Sequence, residues 1–109
     1  MELKSIPRGA ELEVSFAGEL DHHAAKQAMH ALDEELEEQL PRNLVLDFGG
    51  LQFMDSSGIA VVMRAYRRMQ ELGGSVCMKN VPDQPGKVLR AAALDRLIPM
   101  DGKKAPSGL

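Results

Sequence analysis

The chain contains no tryptophan, one tyrosine, three phenylalanines and one cysteine among 109 residues. With so few rings, the core has to be filled by Leu, Val, Ile, Met and Ala. A single thiol, Cys77, excludes an internal disulfide and a cysteine-rich metal site. Its neighbours Val76 and Met78 belong to an apolar strand pattern, which predicts a small buried core residue. No apolar run reaches the ~18 residues of a membrane span. The start, Met1-Glu2-Leu3-Lys4-Ser5, lacks the basic region and apolar stretch of a secretory leader. A soluble, cytoplasmic protein without a membrane partner is expected. An excess of positive charge is also missing. The formal net charge of -3 argues against nucleic acid as a partner, because neutralising phosphates needs clustered Lys and Arg. Arg64, Arg67 and Arg68 do cluster, but on a helix with an apolar opposite face, and read as a solvated face.

What is present is ordinary globular composition, 44% apolar and 27% charged, in a length that fits one domain. Leu3 to Ile6 alternates weakly and Pro7-Arg8-Gly9 reads as a turn. From Glu11, the apolar Leu12, Val14 and Phe16 alternate with Glu11, Glu13 and Ser15, a strand with one buried face. The two segments read as an antiparallel hairpin, which Gly18-Glu19-Leu20 leaves. Asp21 is placed to cap the next helix. Ala25, Met29, Leu32, Leu36 and Leu40 form its apolar stripe, Asp33 to Glu38 its acidic face, and Pro41 its end.

Asn43 to Phe48 is a nearly continuous apolar run, as expected of a central strand. After the Asp55-Ser56-Ser57-Gly58 turn, Ile59, Val62, Met63, Tyr66, Met69 and Leu72 give a second helical stripe, stopped by Gly73-Gly74. Ser75 to Met78 is a short strand. Pro82 to Pro85 starts a third helix with Val88, Leu89, Ala92 and Ala93 on its apolar side. Leu97, Ile98 and Met100 form a short edge strand or pack. Residues 101–109 are expected to be a flexible tail. This order predicts a single α/β domain, a mixed, mostly parallel sheet of four to five strands packed with amphipathic helices.

Functional groups in such a sheet gather beyond the carboxyl ends of the strands. Two loops reach that edge, Gly18 to His23 and Gly49 to Ser57, so Asp21 and His22 or His23 should approach Asp55 and Ser56. A serine at a helix start has two readings. It can be an N-cap that satisfies orphan amides. The same amides and the positive helix end also suit a phosphate, so it can equally be a phosphorylation site. The enzyme patterns fit less well. Met54 stands where G-x-S-x-G needs glycine, and Gly49-Gly50 is no phosphate loop. His22 and His23 diverge by ~100° on a helix and cannot share a metal. A hydrolase using Ser56 with a histidine and Asp21 remains an alternative, without any visible oxyanion site.

Gly18-Glu19-Leu20-Asp21-His22-His23, then Phe53-Met54-Asp55-Ser56-Ser57-Gly58, then Gly73-Gly74 resemble the STAS domains of anti-sigma factor antagonists, over roughly residues 3 to 100. Within that family they are most similar to the sporulation regulators of sigma-F. The resemblance implies a cytoplasmic bacterial regulator of transcription that works by partner switching, has no catalysis or cofactor of its own, and is a monomer when free. It implies that the unphosphorylated form binds an anti-sigma factor that is also a serine kinase, releasing the sigma factor. The kinase would use ATP to phosphorylate Ser56, switching the protein off, and a serine phosphatase would reverse this. Asp55, Ser57 and Gly58 would present or shape the site, and Glu19, Asp21, His22 and His23 would lie on the partner-facing rim. An alternative is a STAS scaffold in another partner-switching pathway; a transporter-fused STAS domain is disfavoured by the lack of a membrane segment. The chain departs from the family at Ala92-Ala93-Leu94, where Ser-Gly-Leu is frequent, which bears on the surface at the end of the third helix.

Overall fold

A computed structural model describes residues 1–102. The elements are β1 (Glu2–Arg8), β2 (Glu11–Leu20), α1 (His22–Gln39), β3 (Asn43–Met54), α2 (Ser56–Glu71), β4 (Ser75–Val81), α3 (Asp83–Ala91), a 3-10 turn (Leu94–Arg96) and β5 (Met100–Gly102). They form one sheet in the order β1-β2-β3-β4-β5, with β1 antiparallel to β2 and every other pair parallel. Each parallel step moves one strand further in the same direction. Right-handed crossovers therefore place α1, α2 and α3 on the same face. The α/β fold with a mixed, mostly parallel sheet is as the sequence predicts.

Strand parity decides which residues meet the helices. Leu12, Val14 and Phe16 of β2, Leu44, Leu46 and Phe48 of β3, and Val76 and Met78 of β4 point inward and are buried. They pack against Leu32 and Leu36 of α1, Val62, Ala65 and Met69 of α2, and Leu89 of α3 in one aliphatic core. Phe16 and Phe48 meet within it as a tilted pair, with ring centroids 5.0 Å apart and planes at 54°. The opposite parity gives the outer sheet face. There Glu13 is only 5% exposed. Its Oε1 accepts hydrogen bonds from Arg8 Nη1 at 2.9 Å and Lys79 Nζ at 3.2 Å, so the buried carboxylate is paired twice.

Several boundaries differ from the sequence reading. Pro7 and Arg8 belong to β1, an edge strand on which proline is tolerated, and Gly9 turns the chain at φ 62°. Gly18-Glu19-Leu20 stays in β2, paired with β3. β3 runs on to Met54, because irregularities opposite Ser15/Ala17 and Gly18/Glu19 absorb Gly49-Gly50 without ending the ladder. The segment expected to be a loop from Gly49 is thus mostly strand. Cys77 is half-buried, because its side of β4 is the outer face, and partial burial pushes its thiol pKa up.

The helix faces are also rotated from expectation. Ala28 is buried in α1, whereas Met29 is half-buried and Leu40 is an exposed left-handed C-cap. In α2, Gly58, Val61, Val62, Ala65 and Met69 are buried, while Ile59, Met63 and Tyr66 are half-buried and Leu72 is exposed. Ala92 and Ala93 are exposed, and Pro85, Gly86 and Leu89 form the buried side of α3. Asp101 and Gly102 lie in β5; the rest of the expected tail, 103–109, falls outside the described residues.

Ala93 explains the departure at Ala92-Ala93-Leu94. It sits at φ 61°, ψ 24°, left-handed backbone that suits glycine and strains a residue with a Cβ. Ala93→Gly is expected to stabilise the fold by about 0.5–1 kcal/mol, the relieved strain less the added chain entropy of glycine. A denaturant midpoint shifted upward at unchanged slope is the readout; an unchanged or lower midpoint would mean that the strain is already relaxed.

Candidate functional site

β2 and β3 are parallel neighbours, so the helices that follow them begin side by side at the same sheet edge. Asp21 and Asp55 cap these helices with the same backbone, φ -106° in both and ψ -172° and -171°. Asp21 Oδ1 accepts from the Ala24 amide at 3.0 Å. Asp55 Oδ1 accepts from the Ser57 amide at 2.8 Å. The two turns are then joined. Asp55 Oδ2 accepts from the His22 amide at 3.2 Å, and the Asp55 amide donates to the Leu20 carbonyl at 3.3 Å. One carboxylate thus satisfies orphan amides of both helices, and Asp55 holds the α2 turn against the α1 turn.

The proximity expected of Asp21, His22, Asp55 and Ser56 is present, but the cap assignment changes. Asp55 caps α2, and Ser56 is the first helical residue. The physical reason is that an aspartate carboxylate accepts from Ser57 and His22 at once, which a single serine hydroxyl in the cap position would not. This frees both serine hydroxyls. Ser56 is exposed and Ser57 half-buried, and neither hydroxyl has a hydrogen-bond partner among the described residues. Gly58 is buried at the third helical position, where a Cβ would run into the Met54 side chain. It therefore lets the first turn of α2 close over the end of β3.

Glu19 is exposed at the carboxyl end of β2, opposite Phe53, which is itself 40% exposed. His22 and His23 are both exposed, with ring centroids 5.9 Å apart. No group of three or more His, Cys, Asp and Glu side chains is arranged for a metal among the described residues. Nor is a catalytic triad assembled: the Asp21 carboxylate caps α1, and Ser56 Oγ bonds neither histidine.

One residue of the site escaped the sequence reading. Gln84, in the first turn of α3, accepts from the Met54 amide and donates to the Met54 carbonyl, both at 2.8 Å. Pairing of β3 with β4 ends at Asp47 and Lys79, so the side-chain amide stands in for a missing strand just before the Asp55 cap. The only hint in the sequence is a glutamine between Pro82 and Pro85, which a helix-start reading leaves without a role.

A mixed sheet whose parallel strands present an aspartate-capped, exposed serine at their carboxyl edge is the arrangement the resemblance to STAS domains leads one to expect, and comparison with known proteins agrees. The family model described as STAS domain matches residues 2–105, and the chain belongs to the STAS domain family. Among its curated relatives is an anti-sigma F factor antagonist of Paenibacillus polymyxa, 32% identical over 89 residues, covering 82% of this chain and 76% of the relative. An anti-sigma F factor antagonist of Lysinibacillus sphaericus is 30% identical over 81 residues, covering 74% of this chain and 69% of that one. The fold is that of the unphosphorylated anti-sigma factor antagonist SpoIIAA, with a TM-score of 0.80 at 22% identity, over 94% of this chain and 90% of that one. An anti-sigma factor antagonist from Mycobacterium paratuberculosis superposes with a TM-score of 0.82 at 19% identity, over 92% and 84%. No helix among the described residues is long and apolar enough to cross a membrane.

Proposed function

We propose that this protein is an anti-sigma factor antagonist whose unphosphorylated form binds an anti-sigma factor, and that phosphorylation of Ser56 switches it off. The observation that carries the reading is the exposed Ser56 hydroxyl, unbonded at the first position of α2 beside the capping carboxylate of Asp55. A kinase must reach an oxygen that is free to attack the γ-phosphate of ATP, and Ser56 offers one. Ser57 is half-buried one position further on, with its amide tied to Asp55, and offers a poorer substrate.

The anti-sigma factor itself serves as the ATP-dependent serine kinase, and a separate serine phosphatase resets the switch. The protein contributes no catalysis of its own: it is ligand in one state and product in the other, in the bacterial cytoplasm. Phosphate adds about -1.5 to -2 charges. It enters a rim that already holds Glu19, Asp21 and Asp55, with the Asp55 carboxylate fixed in place by two amides. A partner surface complementary to the neutral serine then meets concentrated negative charge and loses its fit. His22, His23, Ser57 and Gly58 complete the rim as contact or shaping residues. The names of the Paenibacillus and Lysinibacillus relatives support sigma-F as the pathway.

Incubation with the source organism's anti-sigma F factor and ATP, read by intact mass, is expected to add one phosphate. Ser56→Ala abolishes it and Ser57→Ala retains it. Equal incorporation into Ser56→Ala and wild type would refute the site.

A further inference from the structure

Backbone strain and like charge collect at the amino edge of the sheet, at the far end of α1 and α2 from Ser56. Leu40, the C-cap of α1, has φ 45° and ψ 56°, left-handed backbone where glycine or asparagine is the usual residue. Its side chain is 63% exposed, so little packing holds it there. The last turn of α1 carries Glu37 and Glu38 and no basic residue, although a helix C-terminus favours cations. Glu34 and Glu38 are exposed one turn apart, a repulsive pair, and neither forms an ion pair among the described residues. Arg68 of α2 reaches Glu37 at 3.6 Å and Glu71 at 3.5 Å, which holds the last turns of the two helices side by side. Leu72, the C-cap of α2, is therefore at the same end. It is 37% exposed and lines an open hollow of about 680 Å³ with Gly73, Gly74, Arg42, Asn43 and Ser75. Two exposed leucines are thus bordered, on the α1 side, by unpaired carboxylates.

We propose that this end of the molecule is a docking surface for a partner protein, which lays a basic amphipathic segment across it. Apolar side chains of the segment cover Leu40 and Leu72, and its lysines or arginines meet Glu34 and Glu38. Charge complementarity selects this occupant. A second copy of the chain, at net charge -3, would bring the same carboxylates to the contact, and nucleic acid or an anionic lipid surface is repelled in the same way. A cationic segment removes the repulsion between Glu34 and Glu38 and suits the negative end of α1, while its apolar side takes the leucines out of water. The unfavourable backbone at Leu40 then has a reason, because glycine there would relax the chain and delete the side chain that the partner covers. The surface does not depend on the reading of Ser56. The 16 residues of α2 set it about 22 Å from that serine, so the two ends can be occupied at once.

The test is titration of the isotope-labelled full chain with an amphipathic helical peptide of leucines and lysines, read by backbone amide shifts and by calorimetry. Shifts are expected at residues 34–42 and 71–75. Leu40→Gly should weaken binding roughly tenfold while raising the melting temperature by about 3 °C, since it deletes the contact and relieves the strain together. Glu34→Lys with Glu38→Lys should weaken binding by a similar factor in a protein that still folds, both residues being exposed. Ser56→Asp should bind the peptide like wild type. Wild-type affinity in Leu40→Gly overturns the proposal, and so does a melting temperature lowered by that change, which would mean that the leucine serves the fold. A peptide with serines in place of its leucines that binds equally well would reduce the surface to an acidic patch and overturn it too. Shifts centred on the first turn of α2, or no binding at all, have the same consequence. A dimer in sedimentation equilibrium that Leu40→Gly abolishes would put a second copy where the partner is proposed.

Discussion

Ser56→Asp is expected to lower affinity for the anti-sigma factor on the order of a hundredfold, because a like charge set into a complementary surface costs several kcal/mol. The effect belongs to the interface and not to the fold. A carboxylate at the first helical position faces the positive end of α2, which offsets its repulsion from Asp55. The melting temperature should therefore stay within about 3 °C of wild type. Calorimetric titration beside a thermal melt separates the two. Full affinity in Ser56→Asp would mean that charge at this position is not what the partner senses. Ser56→Ala removes no bond, since the hydroxyl has no partner among the described residues, and is expected to bind like wild type.

Asp55→Ala should be the most damaging change at the site for stability. It removes the cap of α2 and strands the Ser57 and His22 amides together, at a cost of about 2 kcal/mol. Because the same carboxylate joins the α1 and α2 turns, phosphorylation of Ser56 should slow beyond what stability explains, as the serine loses its fixed position. Asp55→Asn keeps an acceptor for Ser57 and should recover a large part of the stability. Urea midpoints for the two variants check this. Equal loss in both would show that charge, and not the hydrogen-bond geometry, is what Asp55 supplies.

The architecture was legible because its periods are strong. Leu12, Val14 and Phe16 alternate cleanly, Leu32 and Leu36 sit one turn apart, and these five residues are buried as expected. Boundaries were less legible where the backbone does something that composition does not mark. Gly49-Gly50 looks like a break and is absorbed by sheet irregularities, so β3 continues to Met54. The α2 stripe was read from hydrophobicity alone. Ile59, Met63 and Tyr66 are as apolar as a core requires, but the neighbouring face with Val61 and Ala65 is the buried one, and those three are left half-buried.

At the site, residue chemistry alone left Ser56 and Ser57 open as cap or phosphosite, and the family resemblance pointed to Ser56. What separates them physically is a three-dimensional fact. Asp55 takes the cap, which leaves Ser56 exposed and Ser57 half-buried. Gln84 was out of reach because its bonds to Met54 span 30 residues and replace a strand that no sequence pattern announces. Ala93 is the converse case. The departure from Ser-Gly-Leu was visible, and its meaning came only with a left-handed backbone at φ 61°.

The most direct test is the affinity of the anti-sigma factor for one preparation of this protein before and after enzymatic phosphorylation, with intact mass verifying one phosphate on Ser56. Tight binding by the unmodified protein, and binding weaker by a hundredfold or more once Ser56 carries phosphate, is the expected result. Equal affinity of the two forms would contradict the switch.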